Sequence, residues 1–148
     1  MERTAIQHNP EVEWNICWGC GPSNEHGLRI ESYWEGEECV CTWQPQPHHN
    51  AGRPNVLNGG IIAALIDCHS MCAAWDAFAQ RDGAFPDMGT VSLKVEYLAP
   101  TPTDAPLELR ARIVELTNKK AVVNCSLRSS GKETARGEVI GVRIPAPD

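Results

Sequence analysis

From Leu28 onward the chain alternates. Leu28, Ile30, Ser32 and Trp34 are separated by Arg29, Glu31 and Tyr33, and beyond Glu35, Gly36 and Glu37 the same period continues in Cys39, Cys41 and Trp43. A period of two puts every second side chain on one face, so a β-hairpin turning at Gly36 is predicted over 28–43. Residues 1–27, broken by Pro10, Gly19, Gly21, Pro22 and Gly27, predict an arm packed on a domain that runs over 28–148. Residues 44–58 carry Pro45, Pro47, Gly52 and Pro54 among His48, His49, Asn50 and Asn55, a mixture that resists helix and strand and predicts a long exposed loop. A helix follows from near Gly59 to about Gln80, stopped by Gly83 and Pro86. Four strand-like runs come next, at about 89–99, 106–117, 120–129 and 132–144, and are expected to pair in sequence. Val91, Leu93, Val95 and Tyr97 give the first of them one apolar face. Ser130 with Gly131 predicts a tight turn before the last.

The helix is apolar nearly all round in its first two turns, from Ile61 to Ile66. Such a helix has to be enclosed. The available wrapper is a six-stranded antiparallel sheet curled around it, the α+β arrangement called the hotdog fold. A curled sheet covers one side only, so at least a dimer is expected to cover the other side and one sheet edge.

At 148 residues the chain has room for one such domain. Thirteen Lys and Arg against nineteen Asp and Glu leave a net charge of −6, which opposes attraction to nucleic acid or anionic lipid. No apolar run approaches the roughly eighteen residues of a membrane span. The odd count of seven cysteines, with no basic start and apolar run of a secretory leader, favours a reduced cytoplasmic setting over a disulfide framework.

Within the apolar helix the charged side chain that stands out is Asp67, flanked by Leu65, Ile66 and Cys68. A carboxylate there is costly to desolvate unless paired, protonated or used, although it also has a bland reading in which it faces solvent or a neighbouring loop. At the helix start, Asn58 is an N-cap candidate, and Gly59 and Gly60 allow close approach to unpaired N–H groups at the positive end of the helix dipole. That is the composition of an oxyanion hole, and equally of a plain helix start. Asp67 lies eight residues past Gly59, about 12 Å along the axis, too far for both to act readily on one carbonyl. Two helices antiparallel across a twofold axis bring Gly59 of one subunit opposite Asp67 of the other.

Three segments carry a family resemblance. Pro54-Asn-Val-Leu-Asn-Gly-Gly-Ile-Ile-Ala-Ala-Leu-Ile-Asp67 resembles the His-Gly-Gly-x6-Asp signature of hotdog-fold acyl-CoA thioesterases of the phenylacetate-pathway (PaaI-like) type. Cys17-Trp-Gly-Cys-Gly-Pro-Ser-Asn-Glu-His-Gly-Leu28 is similar to their Cys-x-x-Cys-Gly-x-x-Asn-x-x-Gly-Leu segment, and Thr90-Val-Ser-Leu-Lys-Val-Glu-Tyr-Leu-Ala-Pro100 to their strand after the helix. The resemblance implies hydrolysis of an acyl-CoA thioester, its carbonyl held at the Gly59 N–H and Asp67 of the facing subunit acting as general base or nucleophile. It further implies that Thr90 helps place the attacking water, and that Asn50 or His49 from the preceding loop contacts substrate. The family's usual His before the glycine pair is Asn58 here, which keeps a donor and an acceptor but carries no proton or positive charge.

Other groups have weaker patterns. Cys17 and Cys20 have zinc-ligand spacing, but Cys39 and Cys41, which could complete a four-thiolate set, fall on one face of a predicted strand, so neither metal nor cofactor is expected. Cys68 and Cys72 with His69, or Cys125, suggest a cysteine nucleophile or simple core packing. Lys119, Lys120, Arg128 and Arg136 could meet the phosphates of coenzyme A or be solvated hairpin charges. Trp14, Trp18 and Trp34 could line an acyl pocket or anchor the arm. A noncatalytic hotdog module that binds an acyl thioester competes with the hydrolase. A hotdog dehydratase would need a catalytic His at the helix start, whereas His48 and His49 lie in the loop before it.

Overall fold

A computed structural model describes residues 3–145. The strands are β1 (Tyr33–Glu35), β2 (Glu38–Trp43), β3 (Met88–Tyr97), β4 (Leu107–Leu116), β5 (Lys120–Ser129) and β6 (Lys132–Arg143), with one long helix, α1 (Gly59–Asp82). All pairings are antiparallel, in the order β1-β2-β4-β5-β6-β3. The fold is the α+β hotdog arrangement, with α1 against the inner face of the sheet through β2 to β6.

Each end of α1 follows from its sequence. The Asn58 side chain caps the first turn, and Gly83 closes the last in the left-handed conformation (φ +84°), its N–H donating to Ala79 O at 2.8 Å. Along the core face Ile62, Leu65, Ile66, Ala73 and Phe78 are buried with Leu109, Val123, Leu127 and Val139 of the sheet. Two glycines of β6 let the helix press close. A Cβ at Gly137 would stand 2.8 Å from Ile66 Cγ2, and one at Gly141 would stand 2.5 Å from Met71 Sδ.

Three expectations need correction. The segment 28–32 alternates in burial but is not strand: Leu28 and Ile30 donate to Trp18 O and Gly19 O, and Ser32 N–H to the side chain of Gln7. The arm takes the hydrogen bonds a sheet neighbour would have taken, so β1 begins only at Tyr33. The loop 44–58 contains a 3-10 turn (Pro47–His49) and bridges pairing Asn50 with Leu57 and Val56 with Pro102. Finally, α1 is by length and composition sufficient to cross a membrane, with mean hydropathy 1.3, although Asp67 interrupts its apolar run. Half of that apolar window is buried within the fold, which accounts for its character.

The last strands also depart from sequential pairing. β4, β5 and β6 pair in order, and Ser130 and Gly131 (φ +50° and +81°) form the two-residue turn predicted for them. β3 pairs instead with β6, on the far edge from β4, because the connection through Pro100, Pro102 and Pro106 crosses to the other side of the sheet. A bulge between Thr90 and Ser92 re-phases this strand. Leu93, Val95 and Tyr97 lie opposite Val139, Gly137 and Ala135, and past the bulge Thr90 lies opposite Gly141 on the same inner face. That face of β3 is expected in the core, yet Val91 is 60%, Leu93 39% and Tyr97 54% exposed.

A buried polar chain ties arm, helix and sheet together. Gln7 Nε2 donates to Ser32 Oγ at 2.8 Å, Ser32 Oγ–H to His69 Nδ1 at 2.8 Å, and His69 Nε2–H to Cys39 O at 2.7 Å. The backbone carbonyl can only accept, which fixes the tautomer. Burial pulls the His69 pKa down to about 4, so the ring is neutral.

Candidate active site

Asp67 projects from α1 toward the start of the edge strand β3. It is half-buried, and Thr90 Oγ1–H donates to its Oδ1 at 2.8 Å across the gap between α1 and β3. Desolvation pushes the carboxyl up from its ordinary range and the Thr90 hydrogen bond partly offsets this. Both residues line a cavity of about 760 Å³. Its walls include Met71 and Trp75, which continue the Asp67 face at helical spacing, together with Phe85 and Trp14. Trp75 packs against Phe85 with ring centroids 4.6 Å apart and donates from Nε1 to Pro86 O at 2.6 Å, which fixes this aromatic wall.

The helix start is a separate cluster in this chain. Asn58 Oδ1 accepts from the N–H groups of Gly60 at 2.8 Å and Ile61 at 3.2 Å. Gly60 is therefore spent on the cap and is not a free donor, contrary to its expected part in an oxyanion hole. The Gly59 N–H has no acceptor among the described residues. Tyr97, which sequence reasoning missed, donates from its hydroxyl to Gly59 O at 2.7 Å and ties the end of β3 to the first turn of α1. None of Asn58, Gly59 and Gly60 lines the cavity at Asp67.

His49 accepts from Asn58 N–H through its carbonyl at 2.9 Å, and its Nδ1 accepts from Gln46 N–H at 2.9 Å. Its ring lies against Trp43, and burial followed by the neighbouring His48 lowers its pKa. Asn50 donates to Ala51 O and shapes the same loop. Both stand beside the helix start. Lys119 and Lys120 do not line the cavity. Lys120 alternates with buried Ala121, which puts it on the outer face of the sheet, 4.0 Å from Glu115. Arg136 is likewise engaged there by Glu96 and Glu133.

A cysteine nucleophile assisted by histidine is not assembled. Both nitrogens of His69 are occupied by Ser32 and Cys39, and burial pushes the Cys125 thiol up to about 12, where it is not ionised at neutral pH. Of the three arm-side tryptophans, Trp14 lines the cavity while Trp34 Nε1 donates to Asp76 Oδ2 at 2.7 Å and secures β1 to the helix.

The thioesterase superfamily pattern matches residues 54–135, a span that holds the helix start, Asp67 and Thr90. A thioesterase superfamily protein from Shewanella loihica is 39% identical, with a TM-score of 0.68, over 84% of this chain and 98% of its own. The E. coli PaaI protein from the phenylacetic acid degradation operon shares the fold at 16% identity and a TM-score of 0.68, over 80% of this chain and 81% of its own. Acyl-coenzyme A thioesterase THEM4 of Rattus norvegicus is 26% identical over 127 residues, 82% of this chain and 51% of that protein. The chain thus spans about half the length of this curated relative. The chain belongs to the thioesterase superfamily.

Proposed function

We propose that the protein hydrolyses acyl-CoA thioesters at a site shared between two copies of the chain. The observation that carries this reading is the half-buried Asp67, held by Thr90 in the wall of a cavity that also carries Trp14, Met71, Trp75 and Phe85, while the free Gly59 N–H lies elsewhere in the same chain. The edge strand β3 supports a twofold partner: its backbone edge is unpaired, and Val91, Leu93, Tyr97 and Leu98 are exposed along it. Antiparallel joining of two such edges continues the sheet and lays one α1 alongside the other, with Asp67 of one facing Gly59 of its partner. Seven free thiols fit a reducing compartment, the cytoplasm.

The chemistry follows from the donors. Thr90 occupies Oδ1 of Asp67, which leaves Oδ2 to take a proton from water as its oxygen attacks the thioester carbon. The carbonyl oxygen gains negative charge and is met by the Gly59 N–H of the facing subunit at the positive end of its helix. Collapse of the tetrahedral intermediate expels the thiolate, which recovers the proton from Asp67 and leaves the free acid. Trp14, Trp75, Phe85 and Met71 favour a bulky apolar or aromatic acyl group.

Thr90→Val keeps the shape of the strand and removes the donor to Asp67. A hydrogen bond to a charged group is worth about 1.5–3 kcal/mol, so kcat/KM is expected to fall roughly ten- to a hundredfold with KM little changed. Initial rates of thiol release measure it, and an unchanged rate would remove Thr90 from the site. The proposal as a whole is tested by thiol release across a panel of acyl-CoA esters from short aliphatic to aromatic. Turnover is expected, fastest with the larger apolar acyl groups. Tight binding of the whole panel without turnover would instead make the protein a ligand-binding module, the reading that Asn58 in place of histidine favours.

A further inference from the structure

Four cysteines converge at the cavity wall, two from the arm and two from α1. The sulfurs of Cys17, Cys20 and Cys68 all lie within 4.8 Å of one another, and Cys17 Sγ is 3.7 Å from Cys68 Sγ. Cys72, one helical turn beyond Cys68 on the same face, lines the same cavity but stands outside that group of three. Sulfurs bound to one tetrahedral zinc at about 2.3 Å stand about 3.8 Å apart, so the Cys17 to Cys68 separation is already that of two ligands of a single ion. It is far beyond the roughly 2.05 Å of a disulfide.

The surroundings are shaped around these sulfurs. Cys-Trp-Gly-Cys-Gly makes a tight turn, closed by Gly21 N–H donating to Cys17 O at 2.8 Å. A Cβ at Gly19 would overlap Cys68 Sγ, so a glycine is required for the arm to reach the helix there. Asn15 accepts from Cys17 N–H at 2.9 Å and donates from Nδ2 to Cys20 Sγ at 3.6 Å, an outer-sphere N–H···S contact of the kind that supports a metal-bound thiolate.

We propose that Cys17, Cys20 and Cys68, joined by Cys72 turning in from the next helical turn as the fourth ligand, bind one zinc ion per chain and staple the arm to α1. Both pairs have two to three intervening residues, the spacing of structural zinc sites, and four protein ligands leave no open position for catalysis. Cys39 and Cys41, the partners that sequence spacing suggested for Cys17 and Cys20, lie on β2 and are not needed. The ion would fix the residue that follows Asp67, and with it the wall of the cavity.

The test uses the full chain, purified without chelator from cells grown with added zinc. Elemental analysis is expected to give about one zinc per chain, and Co(II) in its place should show thiolate charge-transfer bands with the visible bands of tetrahedral coordination. Cys17→Ser and Cys20→Ser should each lose the metal, while Cys125→Ser, outside the cluster, should keep it. Circular dichroism shows whether each variant folds, and a Cys17→Ser, Cys20→Ser double variant that folds and still binds one zinc overturns the site. So does folded wild-type protein with neither zinc nor a cobalt spectrum, or one in which mass spectrometry finds Cys17 and Cys68 joined as a disulfide.

Discussion

Asp67→Asn is expected to lower kcat/KM for an acyl-CoA thioester by about 10²- to 10⁴-fold, the usual contribution of a positioned general base. The exchange is isosteric. Asn Oδ1 can still accept from Thr90, so the link between α1 and β3 is preserved and the thermal midpoint should not fall. What disappears is the basic lone pair at the other oxygen, together with a charge that burial disfavours. Rates of thiol release with circular dichroism on the same samples separate loss of chemistry from loss of fold. A folded variant that turns over at the wild-type rate would end the role of Asp67.

Gly59→Pro is the complementary experiment at the other half of the site. Gly59 is the first residue of α1, where proline is tolerated because the N–H it lacks has no helical partner. Asn58 already has the extended conformation (φ −61°, ψ 132°) that a residue before proline prefers. A Cβ at Gly59 would meet the Tyr97 ring at 3.5 Å, an ordinary contact. The substitution therefore deletes one donor with little strain, and removal of one oxyanion donor typically lowers kcat by about 10²–10³-fold. KM for the substrate should change much less, since the charge develops only in the transition state. Equal kcat in the two proteins, measured under saturating substrate, would mean that the developing charge is met elsewhere.

Much of this was legible from residue order because it depends on local periodicity. α1 announced itself through Asn58, the apolar run from Ile61 to Ile66 and Gly83, and β4, β5 and β6 through alternation punctuated by turn residues. The outward direction of Lys120 was also readable, since it alternates with Ala121. Met71 and Trp75 lay within reach too, one and two helical turns from Asp67. Other features depend on long-range pairing, which periodicity does not report. Simple alternation from Leu93, Val95 and Tyr97 would turn Thr90 to the outer face, and only the bulge returns it to Asp67. The contact of Tyr97 with Gly59, and that of the arm thiols with Cys68, require β3 and the arm to be folded back on α1. Residues 28–32 misled for the same reason: their alternation is real, but their hydrogen-bond partners come from the arm.

In the proposed mechanism Asp67 and Gly59 serve one carbonyl from different subunits. Asp67→Asn and Gly59→Pro chains, co-expressed with different affinity tags and isolated as the mixed dimer, test this directly. One of its two sites then pairs an intact Asp67 with an intact Gly59 and the other has neither, so thiol release should recover to about half the wild-type rate per dimer although each parent is nearly inactive. A mixed dimer no more active than its parents would place both residues in the same protomer's site and contradict the shared arrangement.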